Sequence, residues 1–229
     1  MAEYVLVHGG FVGGWVWRRV ASILRARGHE VLTPTLTGLG ERAHLARPDV
    51  GLATHVDDVV GVLACEDLGR AILVGHSSSS VVVGGVAERA PERLAHLVYL
   101  DTIPPEDGMS WIDLAGPVVG GMLRDLARTQ GDGWRVPIAR DPPRFQPHPL
   151  AAVSDRLAMG NPSAERLPRT FIHCTRKRHA GVYAALWPEI ARAAARARAA
   201  GWGYRELPTG HDAMLTMPDA LAEILDALA

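Results

Sequence analysis

The stretch Ala71-Ile72-Leu73-Val74 constrains this chain more than any other: four apolar residues in a row, cut off by Gly75 and followed two residues later by Ser77. A short run with no polar position suits a strand buried on both faces, as in a parallel sheet covered by helices. Gly75-His76-Ser77-Ser78-Ser79 then leads into Val81–Arg89, which reads as a helix. A tight strand-to-helix turn of this kind lifts a serine hydroxyl above the sheet edge and aims backbone N–H groups at any negative charge formed there. The usual pattern is Gly-x-Ser-x-Gly, and Ser79 stands where the second glycine would be. A small residue is needed there because strand and helix approach closely, and serine is small. The competing reading is a serine-rich loop capping a helix, so the rest of the chain has to decide.

The same texture recurs on both sides. Tyr4-Val5-Leu6-Val7-His8 is an apolar run that ends in the glycine-rich turn His8–Gly14, and a helix is expected from about Trp15 to Arg27, capped by Gly28. His29–Thr33, Leu97–Asp101, Arg169–Thr175 and Gly203–Leu207 read as further strands. His55–Leu63, Tyr183–Ala200 and Pro218–Leu228 read as helices. Alternating strands and helices predict an α/β fold, with a mostly parallel sheet flanked by helices. From Thr102 to Pro168 the texture changes to prolines, glycines and bulky apolar residues, a span too long for a plain crossover. We therefore expect a core formed by residues 1–102 and 169–229, with 103–168 as a cap insertion.

Composition narrows the function classes. A net charge of -1 over 229 residues gives no basic surface for nucleic acid and no reason to expect an anionic membrane as partner. Nothing near Met1 resembles a leader or a membrane span. Cys65 and Cys174 have no zinc or redox spacing and are expected to be buried free thiols. The expectation is a soluble cytoplasmic protein acting on a small molecule; the oligomeric state is left open, a homodimer included. Gly38-Leu39-Gly40-Glu41-Arg42-Ala43, with Asp57 and Asp58 further on, loosely matches a dinucleotide fingerprint. That motif should open a helix directly after a strand, and Pro34–Thr37 intervenes, so nucleotide binding is rejected.

An activated serine needs a base. Of the 10 histidines, His211 stands in Pro208–Met214, between the last strand and the last helix. In a parallel sheet that loop lies at the same edge as the serine turn. Gly10, in the first strand-to-helix turn, and Ser78, directly after the nucleophile, are the candidate N–H donors for an oxyanion. His8 and His76 are read as stiffening their loops by hydrogen bonds.

An apolar strand ending in His8-Gly9-Gly10, the turn Gly75-His76-Ser77 and a late Gly210-His211-Asp212 together resemble the α/β-hydrolase superfamily over essentially the whole chain. Val5–Trp17, Pro34–Arg42, Leu73–Ser79, Val98–Gly108 and Gly210–Pro218 are similar to a bacterial esterase-like branch related to plant methylesterases and hydroxynitrile lyases. The resemblance implies a Ser–His–acid triad, no cofactor and no metal, and a small cap over an apolar pocket, for which Phe11, Trp111, Met122 and Trp134 are the candidates.

Two departures qualify it. In the plant relatives the triad aspartate follows the strand equivalent to Phe171–Thr175, whereas this chain continues Arg176-Lys177-Arg178-His179, without a carboxylate. Asp101, at the end of the preceding strand, is the best replacement, with Glu106 and Asp107 in reserve; Asp212 is expected to point away. Hydroxynitrile lyases of this type carry lysine directly after the histidine, where this chain has Asp212, whose charge would repel cyanide. The expected activity is hydrolysis of a small, largely apolar carboxylic ester through an acyl-enzyme. Two rivals are a cyclase or lyase on the same scaffold with His211 as base, and a binding protein that has lost turnover.

Overall fold

The structure, a computed structural model, describes residues 1–138, 144–177 and 182–229. Six strands form one parallel sheet: β1 (Glu3–Val7), β2 (Glu30–Leu32), β3 (Ala71–His76), β4 (Leu94–Leu100), β7 (Arg169–Cys174) and β8 (Gly203–Leu207). Their order is β2-β1-β3-β4-β7-β8, which places the serine-bearing β3 between β1 and β4. Two short strands, β5 (Arg135–Val136) and β6 (His148–Pro149), pair antiparallel outside this sheet.

Strand alternation divides the core into two layers. Val5, Val7, Leu73, Leu97, Tyr99 and Phe171 face one apolar cluster. Tyr4, Leu6, Ile72, Val74, Val98, Leu100 and Ile172 face the other. The second layer is closed by α1 (Arg18–Ala26) and α10 (Pro218–Asp226). The first is closed by α2 (Leu52–Cys65), α3 (Ser80–Arg89) and α8 (Leu186–Ala199). Both faces of the sheet are thus buried, as the unbroken apolar runs require.

The helix expected from Trp15 begins as a 3-10 turn, Gly14–Trp17, before α1. The expected Tyr183–Ala200 helix likewise opens with a 3-10 turn, Val182–Ala185. The expected final helix is preceded by a single turn, α9 (Ala213–Thr216), and Pro218 sits at the start of α10, where its missing N–H costs nothing. Between β4 and β7 the chain is more regular than its composition suggests. It holds α4 (Trp111–Leu114), α5 (Gly116–Gln130), α6 (Ala151–Ser154) and α7 (Pro162–Glu165). Helix α5 tolerates Pro117 in its first turn and turns Val119, Leu123 and Ala127 into the first apolar cluster. Cys174 is buried as expected, but Cys65, in the last turn of α2, is exposed; both thiols are free. Among the described residues, no helix is long and apolar enough to cross a membrane.

Neutral histidines fasten the loops beside the sheet edge. His8 donates from Nδ1 to the Gly9 carbonyl (2.7 Å) and accepts the Leu36 N–H at Nε2 (3.1 Å). His55 donates to the Thr37 carbonyl (2.9 Å), and His148 donates to the Pro149 carbonyl (2.9 Å). The segment of the loose dinucleotide fingerprint is used internally: Asp58 accepts from Thr37 N and Oγ1 (2.6 and 2.8 Å) and pairs with Arg42 (3.0 Å).

Two outcomes follow from this packing. A Cβ on Gly75 would lie 2.5 Å from Val83 Cγ2, where strand and helix meet, whereas one on Gly61, within α2, meets nothing within 4 Å. Gly75→Ala is expected to cost about 1–3 kcal/mol by overpacking, and Gly61→Ala to add roughly 0.5–1 kcal/mol by helix propensity. Urea denaturation checks both signs. Burial chiefly lowers the pKa of His8 to about 4 and of His148 to about 3, against an ordinary 6.5. Below pH 6.5 the unfolded chain therefore takes up protons that these folded rings refuse, so stability falls as pH falls from 6.5 toward 4. Urea midpoints measured across that range should decline toward the acid side.

Candidate active site

The site is assembled at the carboxyl ends of β3, β4, β7 and β8. The chain leaves β3 at His76 and turns at Ser77, whose φ of 55° is the left-handed conformation that bulky residues avoid. The 3-10 turn Ser77–Ser79 then runs into α3. Ser79 fits the position usually held by glycine because its hydroxyl is absorbed by the backbone. It lies 2.8 Å from the His76 carbonyl, to which it donates, and 3.2 Å from that of Val7. The first loop crosses the turn closely. A Cβ on Gly9 would sit 2.9 Å from the Ser77 Cβ, so only glycine allows the approach, and Gly10 lies beside the Ser78 side chain.

One strand further along, Asp101 repeats the device. It follows β4 with a φ of 47°, is fully buried, and projects under the loop after β8. There His211 Nδ1 donates to Asp101 Oδ2 at 2.7 Å. This bond assigns the ring proton to Nδ1 and leaves Nε2 as an acceptor, the tautomer a general base requires. The Cys174 N–H donates to Asp101 Oδ1 at 3.0 Å, so the carboxylate is aimed by the neighbouring strand β7. Lys177 Nζ, itself buried, stands 2.9 Å from the same oxygen, off the angle of an aligned hydrogen bond, and acts there as a charge. Burial alone would raise the pKa of Asp101. The His211 hydrogen bond and charge together with Lys177 outweigh it and hold the carboxyl below its ordinary range.

His76 ties the serine turn to the histidine loop. Its Nε2 donates to the His211 carbonyl at 3.0 Å, and the two rings lie 4.5 Å apart. Burial first, then the proximity of His211, lowers the His76 pKa to about 4, so at neutral pH it is a spacer without charge. Thr102, next to Asp101, donates from Oγ1 to the Ser77 carbonyl, linking the β3 and β4 turns directly. Ser77, Asp101 and His211, far apart in sequence, therefore share one rim.

The reserve carboxylates lie elsewhere. Glu106 pairs with Arg196 at 3.1 Å, and Asp107 accepts the Met159 N–H at 2.7 Å. Asp212 starts α9 with its carbonyl accepting from Leu215 N (2.9 Å). Of the loop Arg176-Lys177-Arg178-His179, Arg178 and His179 lie outside the described residues.

Beside Ser77 is a narrow crevice, too tight for a water molecule, lined by Ser77, Thr102, Ile103, Trp111, Leu186 and Ile190. Of the four residues predicted for the pocket, Trp111 is in this lining. The other three do not line this crevice. Phe11 packs edge-on against His148 with ring centroids 5.7 Å apart, Met122 rests on the first apolar cluster from α5, and Trp134 carries the Arg135 guanidinium 5.4 Å above its ring. The prediction relied on bulk in the insertion and the first loop, whereas this crevice lies between the β3 and β4 turns, α4 and α8. Leu186 and Ile190 are a helix-periodic pair whose place in the same lining as Ser77 is set by the fold. Lys177 was equally hard to find, its one signal being that it is the sole lysine of the chain. Among the described residues no group of three or more His, Cys, Asp or Glu is placed to hold a metal ion.

The profile of the alpha/beta hydrolase family matches residues 4–224. A carbendazim-hydrolysing esterase of Nocardioides sp. (strain SG-4G) is 36% identical over 252 aligned residues, covering 100% of both chains. A putative chloroplastic methylesterase (methylesterase 11) of Arabidopsis thaliana is 28% identical over 113 residues, covering 49% of this chain and 29% of that one. Among solved structures, a pyrethroid hydrolase from Sphingobium faniae JZ-2 superposes with a TM-score of 0.79 at 23% identity, covering 99% of this chain and 96% of the other. The chain belongs to the alpha/beta hydrolase family, in its esterase branch related to the plant methylesterases.

Proposed function

We propose that the protein hydrolyses small, largely apolar carboxylic esters, or closely related acyl groups, through an acyl-enzyme on Ser77. The observation that carries this reading is the 2.7 Å bond from His211 Nδ1 to the buried Asp101, on the rim that bears Ser77. The full-length similarity to an esterase supports ester chemistry.

Ser77 Oγ attacks the substrate carbonyl carbon while its proton passes to His211 Nε2. Asp101 orients the ring and stabilises the imidazolium without taking its proton. The carbonyl oxygen, now an oxyanion, is received by the Gly10 and Ser78 N–H groups; such donors are worth about 3–4 kcal/mol each. His211 then passes the proton to the leaving alkoxide, which departs as the alcohol and leaves the acyl group on Ser77. Water repeats the sequence: His211 takes a proton from it, the hydroxide attacks the acyl carbon, and the carboxylic acid leaves as Ser77 regains its proton. The side chains of Ile103, Leu186 and Ile190 beside Ser77 would give an apolar wall to an acyl group that opens the crevice, and the buried Trp111 Nε1, without a protein partner among the described residues, offers a donor to a polar atom of the substrate.

Ser77→Ala is expected to lower turnover of p-nitrophenyl acetate by at least about a thousandfold, and a fluorophosphonate probe should label the parent and spare the variant. Equal hydrolysis by both proteins would end the acyl-enzyme reading, and a parent that resists the probe would favour non-hydrolytic chemistry with His211 as base. Asp101→Asn should retain probe binding at a reduced rate and lose on the order of 10⁴ in turnover, because the base is no longer held in its productive tautomer; steady-state rates beside those of the reserve variants Glu106→Gln and Asp107→Asn check the assignment.

A further inference from the structure

Lys177 makes this acid–base pair unlike a bare one. It is the sole lysine of the chain, its side chain is 6% exposed, and its ammonium stands 2.9 Å from an Asp101 carboxylate that is 0% exposed. The Trp187 ring lies 5.3 Å from Nζ and 5.2 Å from the His211 ring. A cation held between a carboxylate and an aromatic face loses little to solvent screening. Its partner oxygen also accepts from the backbone of Cys174, so the carboxylate would be aimed even without the lysine. The charge is what Lys177 adds.

In an Asp–His pair the protonated ring meets one full negative charge, and the unit as a whole is neutral. With Lys177 in contact, the same protonation makes a buried unit with a net charge of +1, which its surroundings stabilise less. Resting on the reading that His211 is the base, we propose that Lys177 is a positioning residue that offsets the charge of Asp101 and thereby keeps His211 free of its proton, and the enzyme active, to lower pH. The other groups around the pair are accounted for. His76 faces it from the end of β3, Cys174 and His173 from β7, Glu206 from β8 beyond His173, and Asp212 from the histidine loop itself. Burial keeps His76 neutral through the working range and raises the Cys174 thiol far above it. Lys177 is therefore the cation in contact with the carboxylate among the described residues.

The test compares Lys177→Met, Lys177→Gln and Lys177→Arg with the parent. Two profiles are recorded against pH: kcat/KM on p-nitrophenyl acetate, and the His211 ring proton signal by NMR, identified by its loss in His211→Gln. Removing the charge should move the acid limb and the NMR midpoint together to higher pH, by about one unit, while Lys177→Arg stays near the parent. Lys177→Gln keeps a polar side chain beside Asp101 without the charge and serves if Lys177→Met does not fold. A folded neutral variant with an unmoved midpoint would overturn the proposal, even if its melting temperature fell, since a lysine with only a structural role lowers stability and leaves the midpoint in place. The NMR titration does not depend on turnover. It therefore judges Lys177 even if the serine variant shows that the hydrolytic reading is wrong.

Discussion

The 2.7 Å hydrogen bond between His211 and Asp101 spans 110 residues of chain and is the contact on which the proposed chemistry depends. A fully buried carboxylate is costly to ionise, and it stays charged only if enough donors and positive charge converge on it. Three elements supply them here: the histidine loop after β8, the Cys174 N–H at the end of β7, and the Lys177 ammonium just beyond it. All three arise because β4, β7 and β8 are adjacent and parallel, so their carboxyl ends fall together. On the proposed reading the acid is therefore a property of the sheet edge as much as of one side chain. That explains how it can be carried on β4 although the loop after β7 holds a lysine instead.

The serine side of the site rests on close approach. Ser77 and Asp101 both occupy the left-handed region, at equivalent positions after neighbouring strands, and Thr102 bonds one turn to the other. Strain of this kind persists only where the surroundings over-determine it. Those surroundings are the glycine contact of the first loop, the two backbone carbonyls around Ser79, and the neutral rings of His8 and His76, which commit their nitrogens to backbone. The departure from glycine at Ser79 is thus accommodated: its hydroxyl is satisfied by a hydrogen bond to the carbonyl of His76.

Charge balance distinguishes this site from one built of serine, histidine and aspartate alone. On the proposed reading, a fourth, cationic member in contact with Asp101 changes what the histidine experiences when it takes a proton, without touching substrate. The crevice beside Ser77 is likewise a joint product of distant segments. Thr102 and Ile103 follow β4, Trp111 comes from α4, and Leu186 and Ile190 come from α8.

The strands, their parallel arrangement, the serine turn and the histidine loop could all be read from the sequence, because each is a local pattern: an apolar run of fixed length, a glycine where backbones meet, a histidine at a strand end. Gly203–Leu207 was legible to its last residue for that reason. Helix α5 was less so, since two internal glycines and a proline masked an apolar stripe that packing rewards. Asp101 could be placed at the correct edge of the sheet, but its distance from His211 was a matter of strand order, which no local pattern encodes. The role of Lys177, the identity of the crevice lining and the exposure of Cys65 were decided only by tertiary structure. Each depends on which distant surfaces face one another: side-chain chemistry and periodicity are written along the chain, whereas burial and the balance of buried charge exist only once the layers have closed.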